Sequence, residues 1–201
     1  MRFNALPQIS VIKKEEKEAR LKAFIGEHLS QAQATAQGRI CDRVLLLLAR
    51  SHESPVVRAL QSIVAEGRGE GIVLKTIVTT HRGDQPIDWP AELVSMTDCR
   101  LAGDPRLLDA HEQLWLDGET AWIGDCMRRE PAKRDAFECY ASGCEATARS
   151  AEKAFNRVWD KSSKVALVGE SPAATAVAEI EPHIAGIAGG DTSTPTAATR
   201  H

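Results

Sequence analysis

No stretch of this sequence is apolar for long enough to cross a bilayer. No two cysteines have the Cys-x-x-Cys spacing, and the five present (Cys41, Cys99, Cys126, Cys139, Cys144) are an odd set. They read as reduced thiols in a cytoplasmic protein. A zinc site built from Cys126, Cys139 and Cys144 would match no familiar ligand spacing, so neither a metal nor a cofactor is expected. Positive charge is not in excess. The formal net charge is −3, which excludes a global basic field for nucleic acid or an anionic membrane, but not a local patch. Met1–Pro7 lacks the apolar core of a signal peptide, and no internal repeat occurs. What is there is ordinary for one globular domain: 201 residues, 43% hydrophobic and 26% charged.

Residues 1–12 read as a poorly structured lead-in. From Lys13 to about Gln37 the chain is helical in character, with Leu21, Phe24, Ile25 and Leu29 recurring at steps of three and four. Gly38 is the expected stop. This stripe suits a helix packed on the domain itself; docking on a partner subunit is the alternative. Arg43–Arg50 is a short continuous apolar run, the pattern of a strand buried on both faces. Ser54-Pro55 then opens a helix whose buried face is Val56, Val57, Leu60, Ile63 and Val64, with Ser54 as its cap. Ile72–Thr80 is a second strand. Strand, helix and strand with short joints make the βαβ unit of a largely parallel sheet.

The next loop, His81 to Pro90, leaves the carboxyl end of that strand, where ligands gather in open α/β sheets. His81 and Arg82 are therefore candidates, against the commoner solvated loop. A third strand is expected near Leu93–Arg100. Leu114, Leu116, Trp122 and Gly124 then alternate as one face of a hairpin turning at Asp117-Gly118. Arg128, Arg129, Lys133 and Arg134 form a charged loop. It could grip phosphates, or be solvated and partly neutralised by Glu130 and Asp135. A last strand spans Ala136–Ala141. A helix from Cys144 to Trp159 turns Ala148, Ala151, Phe155, Val158 and Trp159 inward. The Ala-, Gly-, Thr- and Pro-rich tail from about Ser162 has no sustained period and reads as disordered. Three regions result: an amphipathic helix region at 1–38, a domain at 39–161 and a flexible tail at 162–201.

The hairpin carries His111, then Asp117, then Gly124. This series resembles the signature of the phospholipase D superfamily: His-x-Lys, then Asp, then Gly-Ser-x-Asn. Gln113 stands at the lysine position, Asp117 comes one residue early, and Asp125 and Met127 replace serine and asparagine. Phe137-Glu138 and the Phe155–Trp159 pair look like the glutamate strand and the terminal helix of that family. The resemblance covers roughly residues 42–160. It implies an α/β half-domain with a mixed, mostly parallel sheet flanked by helices. It also implies that a working site needs two chains, with a His111 from each meeting at a two-fold axis, where one attacks phosphorus and the other protonates the leaving oxygen; a monomer that lost its second half is the alternative architecture.

On that resemblance His111 and Asp117 are the catalytic positions. Gln113, Asp125, Arg128, Arg129, Arg82 and His81 are the phosphate-binding candidates. A lone strand histidine is more often structural, and an Asp-Gly turn needs no catalytic role. Lys→Gln and Ser→Asp together change a symmetric dimer site by four charges. One like-charge contact at 4 Å costs on the order of 4 kcal/mol at an effective dielectric near 20. Each lost donor costs a factor of ~100 in rate. The first expectation is therefore a non-catalytic dimeric binding or scaffold module. Next comes a diverged phosphodiesterase or nuclease in which arginines replaced the lysine. Third is another transferase or hydrolase using His111 with Glu112 or Asp125. The partners implied are a second copy and a nucleic acid or other phosphodiester ligand, without a membrane.

Overall fold

Strand β2 (Arg43–Ala49) is the axis of the molecule. Leu45, Leu47 and Ala49 enter one apolar cluster, while Leu46 and Leu48 enter another around Phe155. Both faces are covered, so the run needs no polar alternation. A computed structural model describes residues 6–35, 42–80, 86–104, 111–125 and 135–170, all within one compact unit.

Helix α2 (Pro55–Ala65) leads from β2 to β3 (Ile72–Val78), which pairs parallel with it. Ser54 does not cap α2 as expected. Its hydroxyl accepts the Ser51 N–H at 3.2 Å, and its carbonyl accepts from Val57 and Arg58. The C-terminus closes with Gly67 at φ 76°, Gly67 N–H on Val64 O and Arg68 N–H on Ile63 O. That two-bond stop is open to glycine at little cost. Next come β4 (Ile87–Pro90), the single-turn α3 (Ala91–Val94) and β5 (Thr97–Leu101), the last parallel to β3.

The other flank of β2 is antiparallel. β6 (Gln113–Asp117) pairs with β2, β7 (Thr120–Ile123) with β6, and β8 (Asp135–Ala141) with β7. Helix α1 (Lys17–Thr35) packs beside α2 over one face. Helix α4 (Glu145–Trp159) covers the other face through Ala148, Ala151 and Phe155. The result is the mixed α/β sheet flanked by helices that the resemblance implies.

Four local expectations change. Residues 8–13 are a strand, β1, at the edge of the sheet beside β8. Its Ile9 and Val11 point outward and only Ile12 is buried, so its apolar alternation has the wrong phase for a core strand. The proposed tail contributes β9 (Ser163–Lys164) beside β5 and β10 (Leu167–Glu170) beside β4. These are short backbone pairings that leave almost no side-chain period. The helix expected from Lys13 begins at Lys17, after a 3₁₀ turn at 14–16. The hairpin loop is Gly118-Glu119, and neither residue has positive φ. The Asp117 carboxylate instead accepts the Glu119 N–H at 2.9 Å and closes the turn. Gly38 lies outside the described residues.

Leu47→Ala should cost about 2–5 kcal/mol, because a fully buried side chain would leave a cavity. Val44→Ala, on an exposed position of the same strand, should change stability by about 0.5 kcal/mol or less. Urea denaturation of the two variants compares them directly.

Candidate functional site

The register collects one set of side chains at one edge. Leu48 pairs with Gln113, Gln113 with Ile123, and Ile123 with Cys139. Arg50, at the carboxyl end of β2, therefore stands beside His111 and Glu112, before β6, and beside Gly124 and Asp125, after β7. β3 ends at the same edge with Val78. The carboxyl edge of parallel strands is where open α/β sheets place ligands. Lys13 of β1 pairs with Asp135, so the chain turns into α1 here and brings Lys17 over the edge.

Two buried carboxylates organise this edge. Glu138 on β8 is fully buried. One oxygen lies 2.9 Å from the Lys17 ammonium, and the other accepts the Trp122 indole N–H at 2.8 Å. The Asp125 backbone N–H also donates to it. Glu112 is 6% exposed. Its Oε1 accepts the Arg50 backbone N–H at 3.2 Å, and its Oε2 is 3.9 Å from Lys17. A third carboxylate, Asp125, is 3.9 Å from the Arg50 guanidinium. Contacts at 3.9 Å are ion pairs without a direct hydrogen bond. Two cations thus face three carboxylates among the described residues of the edge.

Backbone geometry makes room for this cluster. A Cβ on Gly124 would come within 2.6 Å of the Trp122 ring and 3.3 Å of the Lys17 amine. Gly124 N–H bonds Glu112 O at 2.8 Å, and Asp125 follows at φ 52°, a conformation that L-residues adopt at a cost. The Lys17 ammonium lies 5.1 Å from the Trp122 ring centre. Burial pushes the Glu138 carboxyl above its ordinary range. The Lys17 charge and the hydrogen bonds from Lys17, Trp122 and the Asp125 backbone act in the opposite direction.

The sequence candidates are only partly brought together. His111 is exposed and makes no hydrogen bond among the described residues. Asp125 does join the edge. Gln113 points to the opposite face of the sheet, where its Nε2 donates to Ala151 O of α4 at 3.3 Å. Asp117 sits at the far end of β6, roughly 20 Å from His111 at strand spacing. There its Oδ2 is 3.8 Å from His28 of α1. Burial lowers the His28 pKa, Asp117 raises it and Arg43 lowers it, with a net lowering. His81, Arg82, Arg128 and Arg129 lie outside the described residues. Thr80 and Asp125, the last described residues before those segments, stand at or beside this edge.

Sequence reasoning missed Lys17 and Arg50. Arg50 carries a usable signal, since it is the first charge after the buried run Leu45–Ala49. Lys17 carries none, because it is one of three lysines in a charged run. No group of three or more metal-ligating side chains occurs among the described residues. Cys126 of the weighed zinc set lies outside them.

Removing the Lys17 charge tests how tightly the cluster is coupled. Lys17→Met should cost about 3–5 kcal/mol near neutral pH, because Glu138 would remain buried and uncompensated. Glu138 already titrates above its ordinary 4.5 in the folded chain. Its effect on stability therefore worsens as pH rises from that ordinary value through the folded one. The variant should recover part of its loss as pH falls toward 5, read by urea midpoints across pH.

No protein-family model matches the sequence, and no curated protein does. Solved structures do. Nuc from Salmonella typhimurium, a phospholipase D family member, superposes with a TM-score of 0.52 at 14% identity. That match covers 80% of this chain and 99% of Nuc. NucT from Helicobacter pylori gives 0.47 at 12% identity, over 79% of this chain and 99% of NucT. TrmBL2, an archaeal chromatin protein described with a novel mode of DNA binding, gives 0.48 at 13% identity. There the match covers 79% of this chain and 55% of TrmBL2. No helix among the described residues is long and apolar enough to cross a membrane. The chain has the phospholipase D-like fold.

Proposed function

We propose that this chain is a non-catalytic phospholipase D-like module that acts by binding, as a homodimer in the cytoplasm. One observation carries the reading. Among the described residues, the cations that reach the strand edge, Lys17 and Arg50, are held by the chain's own carboxylates, Glu138, Glu112 and Asp125. A phosphoryl group entering there would have to displace carboxylates already paired. Among the described residues of the edge it would also meet three carboxylates against two cations. His111 is not oriented by Glu138, whose oxygens are taken by Lys17, Trp122 and the Asp125 backbone. Asp117 and Gln113 serve the turn, α1 and α4. The buried thiols of Cys99 and Cys144 form no disulfide, which suits a reducing compartment.

The alternative is a diverged phosphodiesterase or nuclease acting through a His111 pair across the dimer. The exposure of His111 at the carboxyl edge of the sheet favours it, because an accessible imidazole could meet that of a second chain.

The two readings separate in one assay. The purified protein, given bis-p-nitrophenyl phosphate or duplex DNA, should release product no faster than buffer, and His111→Ala should leave stability unchanged. Turnover that disappears with His111→Ala would establish the alternative. Light scattering should give twice the 21.8 kDa chain mass.

A further inference from the structure

Helix α4 turns its small and aromatic side chains, Ala148, Ala151 and Phe155, onto the sheet. Its opposite face carries Arg149, Lys153, Arg157 and, in the turn that continues it, Lys161. The Asp160 N–H on Asn156 O and the Lys161 N–H on Val158 O keep that turn on the helical path. All four cations are exposed and four residues apart. At helical rise each step is about 6 Å and the row about 18 Å long.

Local electrostatics accounts for part of this row. Arg149 pairs with Glu145 one turn before it. Arg157 and Lys161 stand near the helix C-terminus, where the macrodipole favours positive charge. Lys153, in mid-helix, has neither reason. Lys153, Arg157 and Lys161 make no ion pair with any described residue. Glu152 and Asp160 are the other acids of the helix and its end, and Asp160 is the exposed one. The chain as a whole carries a net −3, so a continuous cationic row is a local feature and not an overflow of basic residues.

A row of like charges at a constant step fits a partner whose opposite charges also repeat. The residues between the cations, Ser150, Ala154 and Asn156, are exposed and small, which leaves the row accessible. None of the exposed large apolar side chains belongs to α4. The face therefore has nothing to insert into a lipid surface. We propose that this face of α4 is a docking surface for a nucleic-acid phosphate backbone, contacted without reading the bases. It lies on the other side of the sheet from the Lys17–Glu138 pair and is independent of what the strand edge binds.

The experiment is fluorescence anisotropy with a labelled short DNA duplex, titrated with the full chain from about 50 to about 200 mM salt. Four phosphate contacts predict a log–log salt slope near −3.6, or roughly 100-fold weaker binding across that range. Lys153→Gln should reduce the slope by about 0.9 and weaken binding to every duplex sequence alike. The variant with Arg149, Lys153, Arg157 and Lys161 all changed to Gln should lose binding. Lys22→Gln, at the exposed Glu66 pair on the opposite helix layer, should bind as the parent does. Should the fourfold variant lose its circular-dichroism signature, Lys153→Gln and Arg157→Gln singly carry the test. Absence of binding at 50 mM salt overturns the proposal, as does binding unchanged in the variants. Capture of phosphatidylserine vesicles or of polyglutamate in place of DNA overturns it too. Cleavage of the bound duplex would count against the non-catalytic reading while leaving the α4 surface standing.

Discussion

A lysine ammonium and a carboxylate, both withdrawn from water, tie the first helix of this protein to its sheet. The Lys17–Glu138 contact of 2.9 Å joins the first residue of α1 to the middle of β8. Burying such a charge alone costs several kcal/mol, so each partner requires the other. Much nearby detail follows. Trp122 donates to the same carboxylate, Gly124 must lack a Cβ, and Asp125 adopts a left-handed backbone that aims its N–H at Glu138. The same lysine approaches Glu112, which receives the Arg50 N–H and thereby connects β6 to β2.

The proposed binding role rests on this tie. A phosphoryl-transfer site needs cations with free valence and a base held by an acid. Among the described residues, Lys17 and Arg50 face the chain's own carboxylates, and Glu138 on β8 pairs with Lys17. The phospholipase D-like fold is present, and the charges described at its strand edge answer one another. The cationic row of α4 lies on the other face, where it is accessible to a polymer.

Much of the frame was legible in the sequence because its signals were strong. Leu45 to Leu48 admit one reading, and the Leu114, Leu116 and Trp122 alternation fixed the buried face of the hairpin correctly. β1 was illegible because its Ile9 and Val11 face outward, and β9 and β10 because two to four residues held by backbone pairing leave no period. His111 and Asp125, which the resemblance names, stand at one edge of the sheet. Asp117, also named by the resemblance, closes a turn and approaches His28, and Gln113 donates to α4; neither contact shows in the sequence. Lys17 was hidden for a plainer reason: lysines in a charged run look alike until the chain folds back and buries one of them.

The most direct measurement is a titration of the ¹⁵N-labelled protein with inorganic phosphate, followed through the Lys17 ammonium and Arg50 guanidinium signals. If carboxylates already hold these cations, both signals stay where they are while phosphate rises through its cellular range. A saturable shift of both, lost when the Lys17 or Arg50 charge is removed, would mean that the edge still binds a phosphoryl group and that its cations are not neutralised from within.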